Sequence, residues 1–143
     1  MESIRASPLL PPIIALNAWT LVVEGWMYAT RIPVYTRLRI AEKNHLTHEE
    51  IDKMVPAPVR WKADNFSNLF EQPTQFYAVA AVLALAGAGK TDARLAWAYV
   101  AARVAHTLVH CSTNNVMRRF TLYVISSGLV AVLTGRAALL LSA

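Results

Sequence analysis

Four long apolar runs, each near the length of a membrane-crossing helix, constrain this chain more than any other feature. They cover about residues 8–30, 65–89, 93–111 and 119–141. A bilayer core of about 30 Å takes about 20 apolar residues in a helix. Strands of a membrane barrel would alternate over about 10 residues, and these continuous runs do not. We therefore predict an all-α protein, an integral-membrane four-helix bundle, with a single domain over residues 1–143.

The composition supports a membrane protein and argues against two other classes. Of the 143 residues, 55% are hydrophobic and 16% are charged, which is more apolar than a typical soluble domain. The basic residues lie beside apolar runs and not in a solvated patch with interleaved aromatic residues, so nucleic-acid binding is disfavoured. Cys111 is the single cysteine, which excludes an intrachain disulfide and a cysteine-only metal site.

The distribution of basic residues predicts the orientation. The connection between the first two runs is rich in Lys and Arg, namely Arg31, Arg37, Arg39, Lys43, Lys53 and Arg60. Arg118 and Arg119 border the third connection, on the same side. Because cytoplasmic loops carry the excess of basic residues, we expect both termini to face away from the cytoplasm. Within the first connection, Thr47–Asp52 has the Thr and the acidic residues of a helix start.

Polar side chains inside the apolar runs lie at one predicted depth near the cytoplasmic face. All four runs contribute to this band, which contains Glu24, Asn68, Glu71, Arg103, His106, His110 and Arg119. Ionisable groups within spans face partners or a water-filled cavity because lipid does not solvate them. Arg103, His106 and His110 are spaced by three and four residues, so they share one stripe of a helix. The band therefore predicts a site.

The residues alone leave several interpretations of this band open. Glu71 and Arg103 could form an interhelical ion pair, structural or functional. His106 and His110 have the spacing of two metal ligands and Glu71 could supply a third, although the nearby arginines would repel a cation. With Arg119, the same histidines would form a cationic wall suited to an anionic ligand. Arg118 and Arg119 also fit the role of topology markers.

Two segments resemble a known family. Asn68–Glu71, followed by Pro73 and Phe76, is similar to an N-x-x-E-x-x-P stretch, and Arg103–Thr107 looks like the matching segment of microsomal prostaglandin E synthases. On these segments and on its four runs, the chain resembles the MAPEG family, the membrane-associated proteins in eicosanoid and glutathione metabolism. The resemblance covers nearly the whole chain and is greatest to bacterial members.

The resemblance implies a homotrimer that binds glutathione between neighbouring subunits near the cytoplasmic face. It gives Arg119 the catalytic role of stabilising the glutathione thiolate, with Arg118 as the neighbour that could replace it. His106 matches a histidine of the glutathione site, and Asn68 and Glu71 match polar ligands of the tripeptide. The predicted glutathione-binding side chains are thus Asn68, Glu71, Arg103, His106, His110 and Arg118.

The chain also departs from the family's enzymes. His110 stands where they usually have a tyrosine, Ser67 stands where a glutathione-binding arginine precedes the Asn, and Pro73 comes one residue early. Three functions therefore stay open: a glutathione transferase or peroxidase acting on a hydrophobic electrophile from the lipid, a non-catalytic lipid-binding or scaffold protein, and a metal-dependent membrane enzyme. The resemblance favours a bacterial inner membrane.

Overall fold

The structure, a computed structural model, describes residues 7–142, and within this range the chain forms helices and turns without a strand. The all-helical prediction is confirmed. Residues 1–6 and 143 of the predicted domain lie outside the described range. The helices are α1 (Leu10–Arg37), α2 (His48–Met54), α3 (Ala57–Asn68), α4 (Gln72–Ala86), α5 (Lys90–Ser112) and α6 (Val116–Ser142), with a short 3-10 turn at Ile40–Glu42.

The polar connection folds as its local sequence predicts. The Glu50 carboxylate accepts a hydrogen bond from the Thr47 N–H at 2.8 Å, and the Thr47 hydroxyl accepts one from the Glu50 N–H at 3.4 Å. This reciprocal capping box fixes the start of α2 and confirms the helix start predicted there. After Pro56 the chain enters α3, with Pro58 in the first helical turn, where a missing N–H removes no helical bond.

The second apolar run is broken into two helices, which hydropathy alone does not reveal. It was expected to open near Asn65, but α3 already begins at Ala57 and ends at Asn68, and α4 begins at Gln72. Pro73 has no N–H to donate to the carbonyl four residues back, so a continuous helix would lose a bond there. The Glu71 N–H instead reaches the Asn68 carbonyl at 3.4 Å, in a tighter turn.

The carboxylate of Asp92 joins the connection between α4 and α5 to α6. Gly87 ends α4 with φ of 98°, in the left-handed region that favours glycine. Asp92 accepts a hydrogen bond from the Gly89 N–H at 2.9 Å, which caps α5. Asp92 also forms an ion pair with Arg136 of α6. This ion pair links the C-terminal part of α6 to the start of α5.

The helices pack through one apolar core. α5 and α6 form a hairpin, α6 also packs against α4, and α1 packs against α3 and α5. Phe76 of α4 stacks on Tyr99 of α5 with ring centroids 4.4 Å apart, and neither ring is exposed. Around this pair the core includes Leu9, Leu16, Val79, Ala80, Leu83, Ala96, Val130 and Leu133.

One helix within residues 7–142, α6, is long and apolar enough to cross a membrane by its length and composition. Only 22% of its most apolar window is buried inside the structure. Large apolar side chains along α6 are instead exposed, among them Val116, Phe120, Val124 and Leu139. A core helix of a soluble protein would bury such residues, so this surface is suited to lipid or to another protein chain. The four predicted spans stay a prediction.

Candidate functional site

Three of the predicted site residues line one open pocket. Asn68 ends α3, His106 lies in α5 and Arg119 lies in the first turns of α6. They surround a volume of about 250 Å³ together with Val116, Phe120 and Tyr123. We call this the Arg119 pocket. The sequence predicts these residues at one depth in the membrane, and the helix packing brings them to one pocket.

The turn between α5 and α6 orients Arg119. Asn114 adopts φ of 49°, a left-handed conformation that Asn tolerates, and its side-chain oxygen accepts a hydrogen bond from Arg119 Nη1. The Asn115 side-chain oxygen accepts the Arg118 N–H at 3.0 Å and caps α6. Arg119 Nε is buried and has no hydrogen-bond partner. Arg118 is exposed and does not line the pocket, so Arg119 is the arginine that the fold directs there.

Arg103 is completely buried, and its charge has little compensation. Its Nη2 donates to the Asn68 carbonyl at 3.0 Å, whereas Nε and Nη1 have no partner. The ion pair that was considered between Arg103 and Glu71 is not formed. Arg103 instead binds main chain at the end of α3, where the break before α4 leaves the Asn68 carbonyl without a regular helical donor.

The two histidines form a buried pair on α5. His106 is 3% and His110 is 1% exposed, and their rings stand perpendicular with centroids 5.6 Å apart. Each Nδ1 atom is buried without a hydrogen-bond partner. His106 reaches the Arg119 pocket and tilts against the Tyr123 ring at 6.4 Å. His110 lies one turn further along and does not line it.

Glu71 lines a neighbouring pocket, not the Arg119 pocket. That second pocket, of about 510 Å³, lies between α4 and α6 and shares Tyr123 with the first. On its wall, Gln72 Nε2 donates to the Ser127 hydroxyl at 2.5 Å. The two pockets adjoin at Tyr123, and we call them together the α4–α6 groove, with Arg119 in one pocket and Glu71 in the other. Glu24, half-buried on α1, lines neither pocket.

The structure adds polar residues that sequence reasoning missed. Asn65 Nδ2 donates to the Thr107 hydroxyl at 3.3 Å, both residues are fully buried, and Asn65 Oδ1 has no partner. Tyr123 joins the two pockets. Two signals could have found these residues: Asn65 lies three residues before Asn68, and Tyr123 lies four after Arg119, so each shares a helix face with a predicted residue.

The charges around the site favour an anion. Within residues 7–142 the three ion pairs are Arg39–Glu42, Lys53–Glu49 and Arg136–Asp92, so Arg103 and Arg119 lack a carboxylate partner. In the same range, no three His, Cys, Asp or Glu side chains lie close enough to hold a metal ion. Two guanidinium groups with free N–H donors are suited to a carboxylate or a thiolate.

Comparison with known proteins agrees with the earlier resemblance. The model of the MAPEG family matches residues 9–139, which is nearly the whole chain. Neither the search of the curated proteins nor that of the solved structures finds a match. The matched range contains every element of the groove, from the end of α3 to the first turns of α6. The chain therefore belongs to the MAPEG family, whose members are membrane-associated.

Proposed function

We propose that this MAPEG protein is a multi-pass protein of a bacterial inner membrane. Four transmembrane helices cross the bilayer, both termini face away from the cytoplasm, and three chains assemble into a homotrimer. The exposed apolar surface of α6 and the basic connection between α1 and α3 support this arrangement. In this arrangement a neighbouring subunit would complete the α4–α6 groove.

We further propose that the protein is a glutathione-dependent transferase or peroxidase. One observation carries this proposal: Arg119 opens onto a pocket beside the buried Arg103, and within residues 7–142 neither guanidinium has a carboxylate partner. Glutathione carries two carboxylates, an ammonium and a thiol. Arg103, Asn68 and His106 would hold its anionic part, and Glu71 in the adjoining pocket would bind its ammonium.

In this proposal the reaction depends on the protonation state of the glutathione thiol. A guanidinium next to the sulfur favours the thiolate, which is the nucleophilic form. In a transferase, the sulfur forms a bond to an electrophilic carbon, the leaving group departs with the bonding electrons, and the thiol proton passes to solvent. In a peroxidase, two glutathione molecules are oxidised to the disulfide, and the hydroperoxide is reduced to an alcohol and water. A hydrophobic electrophile would reach the groove from the lipid.

The proposal is tested on the full chain purified in detergent. Glutathione binding is measured by calorimetry, and the thiolate is followed by its ultraviolet absorbance. Arg119→Ala is expected to abolish the thiolate signal and to weaken binding roughly tenfold to hundredfold, the value of one charge-assisted contact. Arg94→Ala, an exposed arginine in α5 outside the groove, is the matched control and should leave both signals unchanged.

Four outcomes decide the matter. Retention of the signal in Arg118→Ala, with its loss in Arg119→Ala, supports the assignment of Arg119. The reverse pattern refutes that assignment. An absence of binding at millimolar glutathione refutes the enzymatic proposal as a whole, and cross-linking in native membranes that does not reach three chains refutes the trimer.

A second candidate function is a non-catalytic lipid-binding or scaffold protein with the same fold. Ser67 and His110 favour it, because they replace an arginine and a tyrosine of the enzymes' glutathione site. His110 is 1% exposed and does not line the Arg119 pocket. For this candidate, purified protein should retain lipid through delipidation but show no glutathione binding.

A further inference from the structure

A second polar pocket lies on the other side of α3 and shares no residue with the Arg119 pocket. It has a volume of about 280 Å³ and is enclosed by the C-terminal part of α1, by α2 and by α3. Its polar lining consists of Arg31, Tyr35, His48, Asp52, Arg60, Asp64 and Ser67. We call this the α1–α3 pocket. The glutathione proposal uses none of the charged side chains that line this pocket.

Charges of both signs face the α1–α3 pocket, yet they do not pair with each other. Arg31 and Arg60 supply two guanidinium groups, and Asp52 and Asp64 supply two carboxylates. Within residues 7–142 no ion pair joins any of these four groups. Arg60 Nε is buried and has no hydrogen-bond partner. The guanidinium donors and the carboxylate acceptors are therefore available to a ligand that carries both charges.

Arg31 is held in place before any ligand binds. Its guanidinium donates to the Tyr35 hydroxyl, and its Cζ lies 4.6 Å from the centroid of the Tyr35 ring. An arginine has five N–H donors, so this bond leaves donors free for an anion. A planar guanidinium with a fixed orientation suits the oxygens of a phosphate group.

The position of the pocket along α1 corresponds to the headgroup region of a bilayer. Arg31 follows directly after the predicted span 8–30, and Trp26 and Tyr28 precede it. Aromatic side chains of this kind gather at the membrane interface. Lys62 supports the same depth, because its ammonium lies 5.0 Å from the Trp26 ring centroid and donates to the Pro58 carbonyl at 2.8 Å.

The apolar side of the pocket fits the remainder of a lipid. Met27 is 6% and Val55 is 5% exposed, and they line the pocket together with Val59, Ala63 and Phe66. Such a lining gives the glycerol and the first acyl methylenes an apolar contact next to the charged groups. A small soluble ion would leave this surface without a partner.

We propose that the α1–α3 pocket binds the headgroup of a phospholipid that carries a phosphate and a primary ammonium, that is, a phosphoethanolamine group. Arg31 and Arg60 bind the phosphate, and Asp52 and Asp64 bind the ammonium. A quaternary ammonium has no N–H to donate to carboxylates, and an uncharged glycerol headgroup gives them no cation. The site therefore selects phosphatidylethanolamine over phosphatidylcholine and phosphatidylglycerol.

Native mass spectrometry of the purified full chain tests this selectivity. The protein is delipidated and then offered equal amounts of the three lipids with identical acyl chains. Wild type should retain phosphatidylethanolamine about tenfold more than either competitor, as expected for one or two charge-assisted contacts. Asp52→Asn with Asp64→Asn should remove this preference, whereas Arg60→Gln should weaken the retention of all three phospholipids.

Two exposed residues close to the pocket provide matched controls. Glu49→Gln removes a carboxylate from α2 that does not line the pocket, and Arg37→Gln removes a guanidinium from the last turn of α1. Both should keep the preference of wild type, which separates the pocket from general attraction at this membrane face. Circular dichroism and elution volume confirm that each variant is folded.

The proposal is overturned if folded wild type does not discriminate between the lipids, or if the Asp52 and Asp64 variant keeps the preference. A third result distinguishes a lipid headgroup from soluble phosphoethanolamine as the ligand. Free phosphoethanolamine should compete only weakly, because it lacks the apolar part. If it binds as tightly as the lipid, the lipid assignment is wrong and the ligand is a soluble one.

Discussion

Replacing Arg103 by methionine should stabilise the protein and at the same time weaken glutathione binding. The side chain is completely buried, one of its nitrogens donates to the Asn68 carbonyl, and two have no partner. A buried guanidinium with two unpaired nitrogens does not favour folding. It is explained by ligand binding, because a bound ligand would supply the missing hydrogen-bond acceptors.

The size of the effect follows from these contacts. Replacing buried ionic groups by apolar side chains of similar volume is neutral or stabilising by about 1–4 kcal/mol. Loss of the bond to the Asn68 carbonyl takes back about 1 kcal/mol, and the Glu71 N–H still reaches that carbonyl at 3.4 Å. The net gain is about 0–3 kcal/mol, with a midpoint of about 1.5 kcal/mol, which for a chain of this size raises Tm by roughly 5 °C.

Two measurements on Arg103→Met check this reasoning. Thermal unfolding in detergent, followed by circular dichroism, gives the change in Tm, and calorimetry gives the glutathione affinity, which should fall roughly tenfold to hundredfold. Arg94→Met makes the same chemical change at an exposed position of α5, where an effect within about 0.5 kcal/mol is expected. A lower Tm for Arg103→Met, or an unchanged glutathione affinity, would refute the argument.

Two further predictions concern the core and the opposite end of the molecule. Phe76→Ala removes a fully buried ring stacked on Tyr99 and should destabilise the fold by about 3–5 kcal/mol, whereas Phe70→Ala, at a ring 57% exposed, should cost less than about 1 kcal/mol in the same thermal assay. The hydrogen bond from Arg136 holds the pKa of Asp92 below its ordinary value of 3.8, so its stabilisation is present above about pH 4 and is lost as the pH falls through the lowered pKa. The Tm of wild type should therefore exceed that of Asp92→Asn at neutral pH, and the difference should close on acidification. A difference that persists at low pH would contradict this.

The start of α2 can be predicted from the sequence because the residues that cap it lie within one helical turn. Thr47 and Glu50 predict the start of α2, and the structure confirms it because both partners of the capping box are three residues apart. The break before α4 was missed although Pro73 is visible, because the hydropathy of the second run continues across it. A proline interrupts helical hydrogen bonds without interrupting an apolar stretch.

Contacts between helices cannot be predicted from the sequence in the same way. Asn65 and Thr107 are 42 residues apart, and Asp92 and Arg136 are 44 apart, so periodicity along one helix cannot pair them. Arg119 and His106 were found because depth in a membrane is a coordinate that all spans share. Depth does not say which faces meet, and for this reason a pair between Glu71 and Arg103 stayed possible although Glu71 lines the next pocket.

The ion pair between Asp92 and Arg136 has a mechanical consequence for the groove. α5 and α6 are joined at one end by the turn Thr113–Asn115 and at the other by this pair, so moving them apart would break the pair or the turn. On the other side of the groove, the hydrogen bond from Gln72 to Ser127 joins α4 to α6. Widening the groove to admit a bulky molecule would therefore break at least one of these links.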